Sequence, residues 1–185
     1  NWSGTYRDTN GDNVLEFAAG GIDVNGVAAV AGQSIDLMLR WDDSWGGADR
    51  DLDLFLLDSF ANVLAVSQEQ QSGGGGDIPL EILSYVPYQN GTLYVSVAHY
   101  GGSEPDWFQI QEFNGLPLGL ATASYSIGNP AESANSGLLA VGATPWFAPG
   151  TIEEFSSQGP ARDGRIKPDI VGIDEFLGES LFKRW

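Results

Sequence analysis

Short segments in which apolar and polar residues alternate, separated by turn-forming residues, recur along the chain from residue 14 to residue 113. In residues 35–41, IDLMLRW, every second residue is large and apolar, and both charged residues stand on the opposite face. This period of two predicts an antiparallel strand with one face on a core and the other partly in solvent. Counted in this way, the region contains about eight strands, at the spacing of a β-sandwich or jelly roll.

Turn-forming residues are frequent enough to support the same interpretation. The chain contains 25 glycines and 9 prolines, which favours short strands and many turns. The apolar run at 54–57 is typical of a buried strand, and residues 63–66 are expected to return as its hairpin partner after a turn. Further strands are predicted at 80–85, 92–98 and 107–113.

The chain is strongly acidic. Its 25 Asp and Glu residues outnumber its 8 Lys and Arg residues, which gives a formal net charge of -17. Such a surface repels a polyanionic phosphate backbone, so nucleic acid is not expected as a partner. The acidity has two compatible explanations: solubility in an extracellular or salty medium, and the binding of calcium, a hard cation that prefers carboxylate and carbonyl oxygens.

Other classes of protein are excluded by residues that are missing. The chain has no cysteine, which excludes disulfides, thiolate nucleophiles and zinc–thiolate sites without indicating the compartment. No segment approaches the roughly 20 apolar residues that cross a bilayer, so no membrane span is expected. The opening residues, NWSG, resemble neither a signal peptide nor a translation start, so we expect a piece excised from a longer protein.

Residues 8–13, DTNGDN, form the first candidate metal site. Asp8, Asn10 and Asp12 place oxygen-bearing side chains at alternate positions, as at the start of an EF-hand calcium loop. The match then weakens, because Asn13 replaces the glycine of such a loop and Ala19 replaces its bidentate Glu. A half-formed calcium site and a metal-free Asx-rich turn both remain open.

The densest group of carboxylates defines a second candidate metal site. Asp51 and Asp53 alternate with leucines at the start of a predicted strand, so both carboxylates are expected to project from the same side. Five carboxylates within a dozen residues repel one another unless they are solvated, paired or bound to a cation. Calcium binding and a solvated loop with Arg40 and Arg50 as counter-ions are the alternatives. The candidate ligands are Asp42, Asp43, Asp49, Asp51 and Asp53.

Two stretches of the strand-rich region resemble a known domain family. Residues 51–58, DLDLFLLD, followed by a turn and residues 62–64, NVL, are similar to the bacterial pre-peptidase C-terminal (PPC-like) domain. Residues 90–97, NGTLYVSV, fit a late strand of the same domain. The resemblance implies an antiparallel β-sandwich of the kind that is attached to secreted peptidases.

A second resemblance covers roughly residues 120–171. The order of residues 141–143, VGA, then 155–160, FSSQGP, then 164–171, GRIKPDIV, resembles the segment that precedes the catalytic serine of subtilisin-like (S8 family) serine peptidases. The resemblance implies a partial α/β peptidase segment after the sandwich. We therefore expect a PPC-like β-sandwich or jelly roll at 1–115 and a partial subtilisin-like segment at 116–185, with a tail from about 172 that does not match the family.

No catalytic residue of that family can be identified in the chain. A serine-peptidase triad needs a Ser nucleophile, a His base and an orienting Asp. The single histidine, His99, stands in AHYG and does not match the family's His-Gly-Thr motif. The three Gly-Thr pairs are followed by Tyr6, Leu93 and Ile152, never by Ser. We expect His99 to be structural.

The sequence thus predicts a non-catalytic internal fragment of a secreted bacterial subtilisin-like endopeptidase, whose partner is the remainder of the catalytic domain. The alternative is a calcium-dependent β-sandwich binding module for a protein, a glycan or a cell surface. That module would use exposed aromatic side chains such as Trp41, Trp45 or Trp107, although Trp41 has the core-facing parity of its strand.

Overall fold

The structure, a computed structural model of the 185-residue chain, describes residues 1–128 and 130–174. The chain divides into two compact units, Asn1–Thr122 and Ala123–Trp185. All regular structure in the described residues is β, in ten strands. No helix in this part of the chain is long and apolar enough to span a membrane. The non-matching tail predicted from about residue 172 lies mostly outside the described residues.

The first unit is built from eight strands that form two four-stranded sheets. One sheet has the order β1-β8-β3-β6 and the other the order β2-β7-β4-β5, and every pairing within them is antiparallel. Eight strands in two such sheets make a jelly roll, so the predicted sandwich is confirmed. The strands are β1 (Trp2–Thr5), β2 (Asn25–Ala29), β3 (Ile35–Trp41), β4 (Asp51–Leu57), β5 (Val63–Ser67), β6 (Leu80–Tyr85), β7 (Gly91–Gly101) and β8 (Trp107–Glu112).

The core lies between the two sheets. On β3, the side chains that the alternation placed on one face are buried: Ile35, Leu37, Leu39 and Trp41. Leu52, Leu54 and Leu56 of β4 are buried in the same cluster, with aromatic rings of Trp2, Phe17 and Phe108 at one end. The period-two prediction for residues 35–41 is therefore confirmed.

The strand expected to begin at Val14 is wrong. This segment makes only isolated bridges, of which one joins Val14 to Ala98. Its residues Leu15, Glu16 and Phe17 are all buried, so the segment has no solvent-facing side as a half-buried strand does. Asn13 before it has a φ of 65°, which turns the chain out of extended geometry.

The second unit contains one regular feature, a two-stranded parallel sheet. Strand β9 (Val141–Pro145) pairs with β10 (Ile170–Asp174), with Val141 opposite Ile170. The α/β character predicted for this part of the chain is not seen in the described residues, because the connection from β9 to β10 is a loop instead of a helix. That connection contains three prolines and three glycines, and both residue types disfavour helix interiors.

Candidate functional site

The first acidic loop is a hydrogen-bonded turn. Asp8 Oδ1 accepts from the backbone N–H of Gly11 at 2.7 Å, and its Oδ2 accepts from that of Asn13 at 3.0 Å. Asp12 Oδ1 accepts from the N–H of Val14 at 2.9 Å, and its Oδ2 accepts from Asn10 Nδ2 at 2.8 Å. The structure therefore brings the three predicted residues Asp8, Asn10 and Asp12 together.

Two further carboxylates, which sequence reasoning missed, belong to this loop. Glu16 is only 2% exposed, and its Oε1 accepts from the backbone N–H of Thr9 at 2.7 Å and from the Thr9 hydroxyl. Its Oε2 and the Oδ1 atom of Asp23 are buried and have no hydrogen-bond partner. The signal in the sequence was the spacing, because Glu16 is the ninth residue counted from Asp8.

The pKa values of Glu16 and Asp23 are shifted in opposite directions. Hydrogen bonds from Thr9 hold the pKa of Glu16 below its ordinary value. The nearby backbone N–H of Gly21 lowers this pKa further. Burial raises the pKa of Asp23, and the negative charges of Asp12, Glu16 and Asp8 raise it further. Asp23 is therefore the carboxylate on which the charges of the other three act.

In the second acidic loop, Asp43 accepts hydrogen bonds from the backbone. Its Oδ1 accepts from the N–H of Ser44 at 2.6 Å, and its Oδ2 accepts from those of Asp49 and Arg50, each at 2.9 Å. Arg50 also forms a half-exposed ion pair with Asp42 at 3.3 Å. Asp42, Asp43 and Asp49 thus lie together in a loop where Arg50 supplies a counter-ion.

The remaining two predicted ligands lie on β4. Asp51 Oδ1 accepts from the N–H of Gln71 at 3.2 Å. Asp53 is 8% exposed, and burial, followed by the charges of Asp51 and Glu81, raises its pKa from 3.8 to about 6. Burial likewise raises the pKa of Glu81, although Gln71 Nε2 donates to its Oε1 at 3.0 Å. Gln71 therefore bridges Asp51 and Glu81.

Across both acidic loops the carboxylates are spread out. Within residues 1–128 and 130–174, no three Asp, Glu or His side chains are grouped closely enough to hold a metal ion as they stand. Backbone N–H groups occupy both carboxylate oxygens of Asp8 and of Asp43, so a bound cation would require side chains to rotate.

Replacing Asp53 with Asn is expected to stabilise the protein at pH 7. Because its pKa is higher in the folded state than in the unfolded state, the wild type loses stability as the pH rises from about 4 to about 6. Removing the charge should raise the free energy of unfolding by roughly 1–3 kcal/mol at pH 7 and should hardly change it at pH 4. Urea denaturation at both pH values measures this, and an equal effect at the two pH values would contradict it.

Asp58→Asn is the matched control for that experiment. Hydrogen bonds from Asn62 and Phe60 lower the pKa of Asp58, so its charge stabilises the folded state at pH values above the unfolded pKa. Neutralising it is expected to destabilise the protein at pH 7, in the opposite direction to Asp53→Asn.

His99 lies on β7 in a structural setting. Its Nε2 is 2.7 Å from the carbonyl oxygen of Gly101, and its ring packs edge-on against Tyr6 with 5.8 Å between centroids. It lines an open cleft of about 480 Å³ together with Asp12. The tryptophans proposed as binding contacts differ in exposure: Trp41 is buried in the core, whereas Trp45 is exposed.

In the second unit, the loop between β9 and β10 is held against β9 by side chains. Ser156 Oγ accepts from the N–H of Ala143 at 3.0 Å. Asp169 Oδ2 accepts from the N–H of Ala140 at 2.8 Å and from Lys167 Nζ at 2.6 Å. These contacts hold Ser156 and Asp169 of the connection close to β9 and the residue before it.

The same unit exposes a large apolar surface. On the β9–β10 pair, Val141, Ile170, Val171 and Ile173 are each at least half exposed. Trp146, Phe147 and Phe155 of the adjoining loop are also more than half exposed. Exposed apolar residues in such number are typical of surfaces that bind other protein parts.

Comparison with known proteins gives similarity in structure but not in sequence family. No family model matches the sequence, and no curated protein matches it. The CspB protease of Clostridium perfringens, a solved structure, is similar with a TM-score of 0.60 and 16% sequence identity. The similarity covers 92% of this chain and 38% of CspB. The mostly-β chain therefore shares its fold with about two-fifths of the length of a protease.

Proposed function

We propose that this chain is a non-catalytic part of a secreted subtilisin-like endopeptidase. In this proposal residues 1–115 are a PPC-like sandwich inserted in the catalytic domain, and residues from 116 to about 171 belong to the peptidase domain itself. The observation that carries the proposal is the parallel pair β9–β10, which joins the VGA strand to the PDIV strand through the FSSQGP loop.

The solvent exposure of strands β9 and β10 supports the proposal that other parts of a catalytic domain cover them. Parallel sheets occur almost only with both faces covered, because their strands are apolar on both sides. Here Val171 and Ile173 of β10 are at least half exposed. The chain also spans 38% of the length of CspB. We infer that the partner of this surface is the remainder of a subtilisin-like catalytic domain, which would add strands and covering helices.

The non-catalytic role rests on the chemistry of the triad. Acyl transfer by serine requires a histidine base within hydrogen-bond reach of the nucleophile. The chain has one histidine, and the ring of His99 is engaged with Gly101 and Tyr6. Peptide hydrolysis would therefore be performed by residues of the parent protein that lie outside this chain.

The test compares the chain with a longer product of its parent gene. We expect the chain alone to release no peptides from casein and to remain unlabelled by a fluorophosphonate serine probe. The longer product, expressed with its flanking sequence, is expected to be labelled at one serine outside residues 1–185. Labelling of a serine within the chain would overturn the non-catalytic role. A longer product that stays unlabelled and inactive would overturn the assignment to a peptidase.

A further inference from the structure

We propose that the loop formed by residues 8–16, together with Asp23, binds one calcium ion. The observation behind the proposal is a pair of buried carboxylate oxygens without hydrogen-bond partners, Glu16 Oε2 and Asp23 Oδ1. Both atoms belong to side chains that lie beside the loop of Asp8 and Asp12. The proposal is independent of the proposed peptidase role.

Glu16 is the residue that makes this loop more than an acidic cluster. It is 98% buried, since only 2% of its surface is exposed. One of its oxygens is anchored by Thr9, inside the loop, while the other is buried and unpartnered. Burying a carboxylate costs several kcal/mol unless it is paired or fully hydrogen-bonded. Among the residues that the structure describes, the charge of Arg7 lowers the pKa of Glu16 less than the hydrogen bonds from Thr9 do.

The spacing of the residues matches the order of ligands in a calcium loop. Such loops supply ligands from positions 1, 3, 5, 7 and 9 before a final acidic residue. Here positions 1, 3, 5 and 9 are Asp8, Asn10, Asp12 and Glu16. The twelfth position is Ala19, and Asp23 supplies the final carboxylate from the segment that precedes β2. Counting Asp23, five residues with side-chain oxygens are therefore available to one ion.

The charges favour a divalent cation as the occupant. The three carboxylates Asp8, Asp12 and Glu16 all act on Asp23, and a hard ion with oxygen ligands neutralises such a group best. As they stand, these side chains do not converge on one point. Asn10 and Asp12 are exposed, and Asp12 borders the open cleft described above, so their side chains have room to turn toward an ion.

Calorimetric titration of the full 185-residue chain with CaCl₂, after removal of metal with a chelator and at physiological ionic strength, tests the proposal. We expect one ion per chain with a dissociation constant of about 0.1–1 mM, the range of extracellular calcium modules. Mg²⁺ at the same concentrations is expected to bind at least about tenfold more weakly, because it dehydrates reluctantly and demands octahedral geometry.

The decisive variants are Glu16→Gln and Asp23→Asn. Each is expected to weaken calcium binding at least about tenfold, because each removes one charge from the ligand set. Asp58→Asn, which neutralises a carboxylate in a similar hydrogen-bonded turn elsewhere, is expected to leave the dissociation constant within about twofold. Glutamine retains an oxygen that can accept from Thr9, so the fold should survive, as circular dichroism will verify.

Three results would overturn the proposal. The first is the absence of heat up to about 10 mM Ca²⁺, well above the affinity range of such sites. The second is equal binding of Mg²⁺ and Ca²⁺, which would indicate attraction to the net charge alone. The third is wild-type affinity in both folded variants. If Glu16→Gln does not fold, the calcium affinity of Asp23→Asn decides the outcome. Asp23 is less buried than Glu16, so its substitution is expected to leave the fold intact.

Discussion

Replacing Phe108 with alanine is expected to lower the free energy of unfolding by about 3–5 kcal/mol. Phe108 is fully buried on β8, and its ring centroid lies 4.5 Å from that of Trp2 and 5.6 Å from that of Phe17. Trp2 belongs to β1, so the substitution leaves a cavity under the strand that β8 holds in place. The loss combines the lost transfer free energy of the ring with the cost of that cavity.

The matched control is Phe60→Ala. Phe60 is 85% exposed in the turn between β4 and β5, and its removal should change stability by no more than about 0.5 kcal/mol. Urea denaturation followed by far-ultraviolet circular dichroism measures both variants. Similar losses in the two variants would show that the aromatic cluster is not the core of the sandwich.

Gly102→Ala is the second substitution for which a large effect is expected. Gly102 has a φ of 77°, and an added Cβ would overlap the carbonyl oxygen of Asp49 and lie 2.8 Å from Arg50 Cα. The clash involves backbone, which cannot swing away as a side chain does. The left-handed conformation costs about 1–2 kcal/mol and the overlap about 1–3 kcal/mol more, so a total loss of roughly 2–5 kcal/mol is expected.

Gly115→Ala separates the two contributions. Gly115 has nearly the same φ, 75°, but an added Cβ there meets no atom within 4 Å. Its expected cost is the conformational part alone, about 1–2 kcal/mol. Thermal and urea unfolding of both variants give the comparison. Equal losses of stability in the two variants would mean that the backbone around Gly102 and Asp49 shifts to accommodate the added Cβ. The close approach of Gly102 to Asp49 would then not be what holds the second acidic loop in place.

Much of the fold could be predicted from local pattern. Strand β6 was expected at residues 80–85 and is found there, and the hairpin of β4 and β5 has the expected antiparallel pairing. These strands are rich in aliphatic residues and are bounded by turn residues, so their local signals are strong. Strand β1 was missed because Trp2–Thr5 is short and gains its partner, β8, from more than 100 residues away in sequence.

The candidate calcium site was only partly predictable. Asp8, Asn10 and Asp12 stand out because they alternate within a few residues. Glu16 was overlooked because it lies in a segment that was predicted to be a strand and stands apart from the Asp8–Asp12 alternation. Asp23 stands behind the Gly20–Gly21 turn, whose two residues both have positive φ, and its approach to Glu16 depends on the path of the chain through that turn.

The class of the fold follows from local sequence alone, because period-two alternation and frequent turns are properties of neighbouring residues. The sequence also carried the peptidase resemblance of residues 120–171. The tertiary structure alone decided which carboxylates meet, which of them lose their hydrogen-bond partners, and which apolar residues of β9 and β10 stay uncovered. Those properties depend on contacts between residues distant in sequence, and burial and charge proximity exist only once such contacts form.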